Sequence, residues 1–485
     1  MKNNDHIFTR IAYGIILLVS SLRVIVFFQN RSLFIDEASL SSQIIDKSFS
    51  DLFGNFVDQF APPLFCVILK TSTELFGNTE YALRLFPLIM GLLGIVFFYE
   101  VCKLFLEPKH VLFPLILFGF SVFMMQYSTE VKQYSSDTTF SLGILLLGLK
   151  ITPSTLNYKH FLFLGFFGII VIWFSMPSVF MLFSLGVYYG FSFIKTQDWK
   201  RFSILSVVTI SWLISFGVYF FGIIKNDLGI DKLESFHSPF FIPLPPQNFD
   251  DFIKTGNILL SFFQTAIGST VIASVWGMIA TTIGIYVSFK KDKLIAGLLL
   301  IPILTAMFAS GLQMYSLLPR LTLFFIPILV LFIGVGTQTI LKGSPKIVAW
   351  IALSIMTLIV LDQKSYPYYF QSFEIEELRP VLEYVKEESS YKDFKYIHFQ
   401  AENAYVFYSQ FYEFKDEINL ENDKIGLWSD NLNEVLLNKK EERIWLIFSH
   451  YKQTEIDQIL LKLKDKLIIE DQFKTNGASC YLLTK

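Results

Sequence analysis

The sequence predicts a polytopic α-helical membrane protein with a small α/β domain outside the lipid. Of its 485 residues 53% are hydrophobic, only 17% are charged and 53 are Phe, with a mean hydropathy of +0.49. That apolar content is gathered in long blocks, as bilayer spans require. From Asp362 onward the character changes: charge becomes dense and only short apolar stretches remain. A net charge of −2 with no basic cluster gives no footprint for nucleic acid. Cys66, Cys102 and Cys480 lack metal or redox spacing and are expected to be packing residues or free thiols.

In order, the apolar blocks fall at 8–29, 62–77, 85–106, 110–127, 137–150, 160–175, 178–195, 202–224, 264–289, 293–311, 319–341 and 346–363. The first is long enough to span, and no small-residue cleavage site follows it, so it is expected to stay as a transmembrane helix. The positively charged turns Lys195–Arg201, Lys290–Lys293 and Lys342–Lys346 belong on the cytoplasmic side. Counting back, Lys150–Lys159 and Lys103–His110 are inside, whereas Arg84 and Glu130 are outside. Lys2 and Arg10 keep the N-terminus inside, so the loop after the first helix is outside as well. Block 62–77 then lies between two outer positions and does not cross, in keeping with Lys70, Thr71, Ser72, Thr73 and Glu74 within it. Eleven spans are therefore expected in residues 1–363, with 30–84 as one long outer loop bearing interfacial helices.

A second long outer loop, 225–262, carries His237 and the proline-rich run from Pro239 to Pro246, which favours ordered, extended chain. Residues 364–485 read as the extracytoplasmic α/β domain. Its strands are expected around Tyr396-Ile-His-Phe, Ile444-Trp-Leu-Ile-Phe and Cys480-Tyr-Leu-Leu, and its helices over 374–389 and 453–466.

Four polar groups fall on the outer face in this topology. They are Arg31 with Asp36 and Glu37; Asp58-Gln59 before Pro62-Pro63, with Glu80 and Arg84; the stretch Tyr127-Ser-Thr-Glu130-Val-Lys132-Gln-Tyr134-Ser-Ser-Asp137; and Pro319-Arg320. Ionisable groups at membrane depth are costly, so several on one face point to a polar pocket. Singly, each also fits a helix end with a snorkelling side chain. Carboxylates facing cations suit proton removal from a hydroxyl and stabilisation of a departing phosphate, for which the planar fork of Arg84 or Arg320 is well shaped. A substrate reaching such a pocket from the bilayer would be a lipid phosphate.

The ordered set Asp36-Glu37, Ala61-Pro-Pro-Leu, Glu80-Tyr-Ala-Leu-Arg84-Leu-Phe-Pro and Tyr127-Ser-Thr-Glu-Val-Lys-Gln-Tyr resembles bacterial membrane glycosyltransferases of the GT-C fold. These are relatives of the protein O-mannosyltransferases and of the aminoarabinose transferase that acts on lipid A. The resemblance covers the chain to about residue 340 and, weakly, the C-terminal domain. It implies inverting transfer of a sugar from a polyprenyl-phosphate donor to a hydroxyl of a glycan, glycolipid or protein acceptor, at the outer face of a bacterial cytoplasmic membrane. It implies Asp36 as base and Glu37 as its support, with Arg84, Glu130, Lys132, Tyr134 and Arg320 binding substrate. In some relatives the position of Glu130 helps hold a divalent metal, and His237 is a further candidate ligand or an outer-loop contact.

Two departures from the family matter. Phe60-Ala61 stand where aminoarabinose transferases carry Glu-Lys, so that donor is not carried over. Glu130-Val-Lys132 replaces an Asp-x-Asp metal motif, and Lys132 could supply positive charge directly, which leaves metal use open. Tyr405, Tyr408 and Tyr412 are candidates for stacking on sugar or for buried packing. A transporter or lipid flippase using the same acids for coupling is the alternative reading, opposed by the absence of an inverted repeat. A membrane scaffold with a partner-binding outer domain is a third, and it would tolerate loss of the Asp36 carboxylate.

Overall fold

The computed structural model describes residues 2–56, 59–226, 236–361, 375–390, 393–409, 418–420, 443–463 and 467–484. Two compact units divide the chain: a membrane unit of Met1–Phe28, Phe49–Leu75 and Arg84–Phe370, and a C-terminal unit of Gln29–Ser48, Phe76–Leu83 and Gln371–Lys485.

Among the described residues seven helices are long and apolar enough to cross a bilayer: Asp5–Phe28, Glu80–Phe105, Ser178–Thr196, Trp199–Gly222, Val271–Lys291, Lys293–Gly311 and Ile326–Gly343. Pro108–Gly119 and Val122–Thr129, meeting at 63°, make an eighth if the bent pair is one span. Tyr158–Phe174 and Lys346–Val360 are apolar but shorter, and Tyr134–Lys150 fills the remaining expected block. Every block expected to span is thus helical, while length and composition support seven or eight crossings. The helix Pro63–Phe76, with 14 residues, is about 21 Å long, short of the ~30 Å hydrocarbon layer.

One expected boundary is corrected. The span placed at 264–289 begins at Val271, because the chain breaks at Gly268, whose φ of 117° suits only glycine. Residues Phe249–Ile267 form a separate amphipathic helix, capped by Asn248 accepting from Asp251 N at 2.9 Å. Thr270 caps the next helix by accepting from Ala273 N at 3.3 Å.

Lipid is as apolar as leucine, so close packing and hydrogen bonds hold the spans together. The tightest approach joins Val271–Lys291 to Ile326–Gly343. A Cβ on Gly284 would lie 2.1 Å from Phe332 O, and one on Gly336 would lie 1.9 Å from Ala280 O. Hydroxyls add bonds across helices: Thr139 donates to Met90 O at 2.6 Å, Ser135 to Pro87 O at 3.0 Å and Ser184 to Leu298 O at 2.8 Å. Outward faces are apolar, as at Leu213, Phe166 and Val207.

The C-terminal unit holds a five-stranded sheet of β1 (Phe394–Ile397), β2 (Ile418–Leu420), β3 (Arg443–Ser449), β4 (Ile468–Lys474) and β5 (Ala478–Thr484), ordered β2-β1-β3-β5-β4. β1 is parallel to β2 and β3, while β5 is antiparallel to both β3 and β4. The central strands are buried on both faces, which explains their nearly continuous apolar sequence. Ile444, Leu446 and Phe448 pack with Ile456, Ile459 and Leu463 of the helix Gln453–Leu463. On the other face Trp445 meets Tyr384 of the helix Leu378–Glu388, ring centroids 6.2 Å apart. The helix Ile35–Asp46 packs on Glu402–Ser409.

Because all three cysteines are free and buried, a thiol-reactive dye reports unfolding of the purified protein. Gly336→Val should lower the unfolding midpoint, since backbone must shift to admit the new side chain, at a cost of about 1–3 kcal/mol or more. Gly217→Ala, with open space at its Cβ position, should leave the midpoint in place. Equal midpoints for both would remove the close-approach argument.

Candidate active site

In the C-terminal unit the Asp36-Glu37 pair occupies the first turn of the helix Ile35–Asp46, where backbone N–H groups and the helix dipole favour negative charge. The two carboxylates have different fates. Glu37 is fully buried and paired with Arg31, Nη1 to Oε2 at 2.6 Å, and the same oxygen accepts from Phe34 N at 3.4 Å. Asp36 is half-buried and stays within reach of solvent. Glu37 is charge-compensated by Arg31, and Asp36 is the more exposed of the two acids.

The backbone leading into this helix is held by side chains from far along the chain. Glu377 accepts from Ser32 N at 3.2 Å and from Ser32 Oγ at 2.9 Å. Tyr408 Oη accepts from Leu33 N at 2.9 Å and donates to Glu80 Oε1 at 3.1 Å. Glu376 Oε2 accepts from Ile35 N at 2.8 Å. Arg379 bonds Asn30 O at 2.5 Å and Glu80 Oε1 at 2.6 Å. Of these residues Tyr408 is a candidate from the sequence, whereas Glu376, Glu377 and Arg379 are not singled out there; the adjacent acids Glu376-Glu377 are the signal that could have found them. Tyr408 and Tyr405 are buried, with Tyr408 spending its hydroxyl on the Asp36 loop; Tyr412 and Asp58 lie outside the described residues.

The membrane unit contains the other expected site residues. Arg84, Glu130, Lys132 and Tyr134 are all buried there. Between the bent pair and the helix Tyr134–Lys150 the chain makes a tight turn, Lys132 N donating to Glu130 O at 2.7 Å. That turn drives both side chains inward: Lys132 Nζ donates to Gln59 Oε1 at 2.6 Å, and Gln126 Nε2 donates to Glu130 Oε2 at 3.0 Å. The Arg320 guanidinium lies 5.9 Å from the Tyr134 ring centroid and 6.0 Å from that of Phe236. His237, next to Phe236, is held below its ordinary value by burial and then by Arg320. Among the described residues no three His, Cys, Asp or Glu side chains gather as a metal-ligand set, so Glu130 and His237 have no companions there to complete one.

Two further polar residues are buried here, of which Arg23 was not singled out from the sequence. Asp137, in the first turn of Tyr134–Lys150, is 5% exposed. Arg23, inside the first span, donates to Gly91 O at 2.7 Å and lines a small cavity with Tyr127, Tyr134, Thr138 and Thr139.

The architecture matches known structures along almost its whole length. ArnT from Cupriavidus metallidurans bound to undecaprenyl phosphate is similar over 97% of this chain and 98% of that one, with a TM-score of 0.54 and 12% identity. The fold is the GT-C fold. The Archaeoglobus fulgidus oligosaccharyltransferase, in complex with Zn and sulfate, is similar over 89% of this chain and 67% of that one, with a TM-score of 0.52 and 12% identity. In sequence, residues 61–220 match the family described as dolichyl-phosphate-mannose-protein mannosyltransferase. No curated protein matches the chain. The expected resemblance to GT-C glycosyltransferases is thus met in fold, and the structural likeness reaches into the C-terminal unit as well.

A buried ion pair holds stability mainly through the harm done by breaking it. Arg31→Met should lower the dye-reported midpoint strongly, by about 3–5 kcal/mol, because Glu37 is left charged and buried. Arg31→Met combined with Glu37→Gln should recover most of that loss. Additive losses would mean that the two side chains do not act as a pair.

Proposed function

We propose that this protein is an inverting glycosyltransferase that moves a hexosyl or pentosyl group from a polyprenyl-phosphate donor to a hydroxyl of a glycan, glycolipid or protein acceptor. The observation that carries the reading is the half-buried Asp36 at a helix N-terminus, beside a fully compensated Glu37, in a chain with the GT-C fold. The relative that holds undecaprenyl phosphate supports a lipid-linked donor. The oligosaccharyltransferase and the matched mannosyltransferase family support glycosyl transfer as the reaction.

In this reading Asp36 takes the proton of the acceptor hydroxyl as its oxygen attacks the anomeric carbon. The bond from that carbon to the phosphate oxygen breaks on the opposite face, which inverts the configuration. The electron pair leaves with the polyprenyl phosphate, and Arg84, Lys132 and Arg320 balance its charge. Tyr134 and Glu130 serve the same donor, Tyr134 through its contact with Arg320 and Glu130 through its turn with Lys132. Glu37 keeps the Asp36 helix in place. The ligand set of the described residues does not suit a metal, and no step is assigned to one. The site faces the outside of a bacterial cytoplasmic membrane, as does the C-terminal domain of residues 364–485.

Transfer of labelled sugar from polyprenyl-phosphate donors tests this in membranes expressing the protein. Asp36→Asn should reduce transfer by about 10²–10⁴-fold, as loss of a general base does. Arg84→Ala and Lys132→Met should each lower kcat while the dye midpoint shows a folded protein. Transfer by Asp36→Asn at the wild-type rate would sink the assignment of the base.

A further inference from the structure

The transfer reaction gives Glu80 no role, although its carboxylate is only 6% exposed and holds two side chains of the C-terminal unit at once. Its Oε1 accepts from Arg379 Nη1 at 2.6 Å and from Tyr408 Oη at 3.1 Å. Both of those groups go on to grip the chain that leads into the helix Ile35–Asp46. Arg379 Nη2 donates to Asn30 O at 2.5 Å, and Tyr408 Oη accepts from Leu33 N at 2.9 Å. Glu80, Arg379, Tyr408 and the segment Asn30–Leu33 all belong to one compact unit.

The link through Tyr408 has a fixed direction. A phenol has one proton to give, and while its oxygen takes the Leu33 N–H, that proton goes to Glu80. A carboxylate only accepts, so Glu80 holds the phenol in this orientation, and ordered chains of donors and acceptors strengthen one another away from water. Leu33 and Tyr408 are both buried, and a buried N–H that loses its acceptor is costly.

The link through Arg379 holds a different point. Asn30 has φ 46°, a left-handed conformation that few residues other than glycine accept, Asn among them. Arg379 bonds the carbonyl of that residue, just past the helix Lys2–Phe28. Farther along, Glu376 accepts from Ile35 N at 2.8 Å. Of these holds on the approach to Asp36, those at Asn30 and Leu33 run through Glu80.

We propose that Glu80, acting through Tyr408 and Arg379, is a positioning residue for Asp36: it sets the backbone of Asn30–Leu33 and so the direction in which the first helical turn presents the Asp36 carboxylate. The proposal rests on Asp36 being the base. Glu80 acts on the loop and not on substrate, so its loss misplaces the base without changing what binds. The effect then falls on kcat and not on KM. A misplacement of about 1 Å at a reacting group lowers a rate by about 10²-fold.

Two measurements on the full-length protein test this. Hydrogen exchange read by mass spectrometry follows the segment directly. Tyr408→Phe removes the acceptor of Leu33 N, and Glu80→Gln removes the charge that holds Arg379. Each should quicken exchange in the peptide spanning Asn30–Ile35 by about tenfold, as loss of a buried hydrogen bond does. Unchanged exchange in either variant overturns the proposal. The second measurement takes kcat and KM for sugar transfer from a polyprenyl-phosphate donor, at a temperature where the dye reports folded protein. Each variant should lower kcat by up to about 10²-fold with KM unchanged. A rise in KM with kcat unchanged overturns the proposal. In an Asp36→Asn background, where the base is already gone, Tyr408→Phe should lower the residual rate no further. An equal fractional fall there marks a general loss of structure and also overturns it. If exchange quickens in both variants while wild type transfers no sugar from any such donor, the transferase reading fails and the hold of Glu80 on the loop stands.

Discussion

Arg31 and Glu37 have left water altogether, and neither would be tolerated there alone. Their 2.6 Å contact ties the chain just before the helix Ile35–Asp46 to its first turn and fixes where that helix begins. Everything else about the acidic pair follows from that anchor. With Glu37 committed, Asp36 emerges one residue earlier and turns toward the half-exposed side of the helix. The preceding five residues then have backbone N–H groups that the helix cannot satisfy, and carboxylates and a phenol from the C-terminal unit accept from them.

The membrane unit solves its own problem by another route. Hydroxyls of neighbouring helices donate to carbonyls within the spans, as Ser135 does with Pro87 O. Arg23 goes further and reaches a carbonyl of a second helix with a full charge. In this way polar side chains in the spans act as cross-links, while glycines such as Gly284 and Gly336 set the distance at which backbones meet.

The spans were legible because hydropathy over some twenty residues is a strong signal. The boundary at 264 was misplaced because Gly268 interrupts two apolar stretches that composition alone runs together. In the C-terminal unit the buried strands β1, β3 and β5 announced themselves as apolar runs, whereas β4, an exposed edge with acids and Lys474, did not. Asp36 and Glu37 stood out as adjacent acids, yet nothing local says that one is fully buried and the other half-buried. That division depends on Arg31 and on residues some 345 positions away, and single-sequence spacing carries no such information. Tyr408 could equally have stacked on sugar or packed inside, and only the fold shows its hydroxyl holding Leu33.

The separation between Ser32 and Glu377 has a consequence for how the protein is made. Chains emerge from the ribosome N-terminus first, and early domains commonly fold before later ones exist. Here the segment bearing Asp36 is among the first to be synthesised, but its backbone partners come after Lys346–Leu361, the last apolar helix among the described residues. The spans can insert and pack while that loop waits without its acceptors. Ordering of the Asp36 segment is therefore a late event, completed only after the C-terminal sheet that ends in β5 has been made.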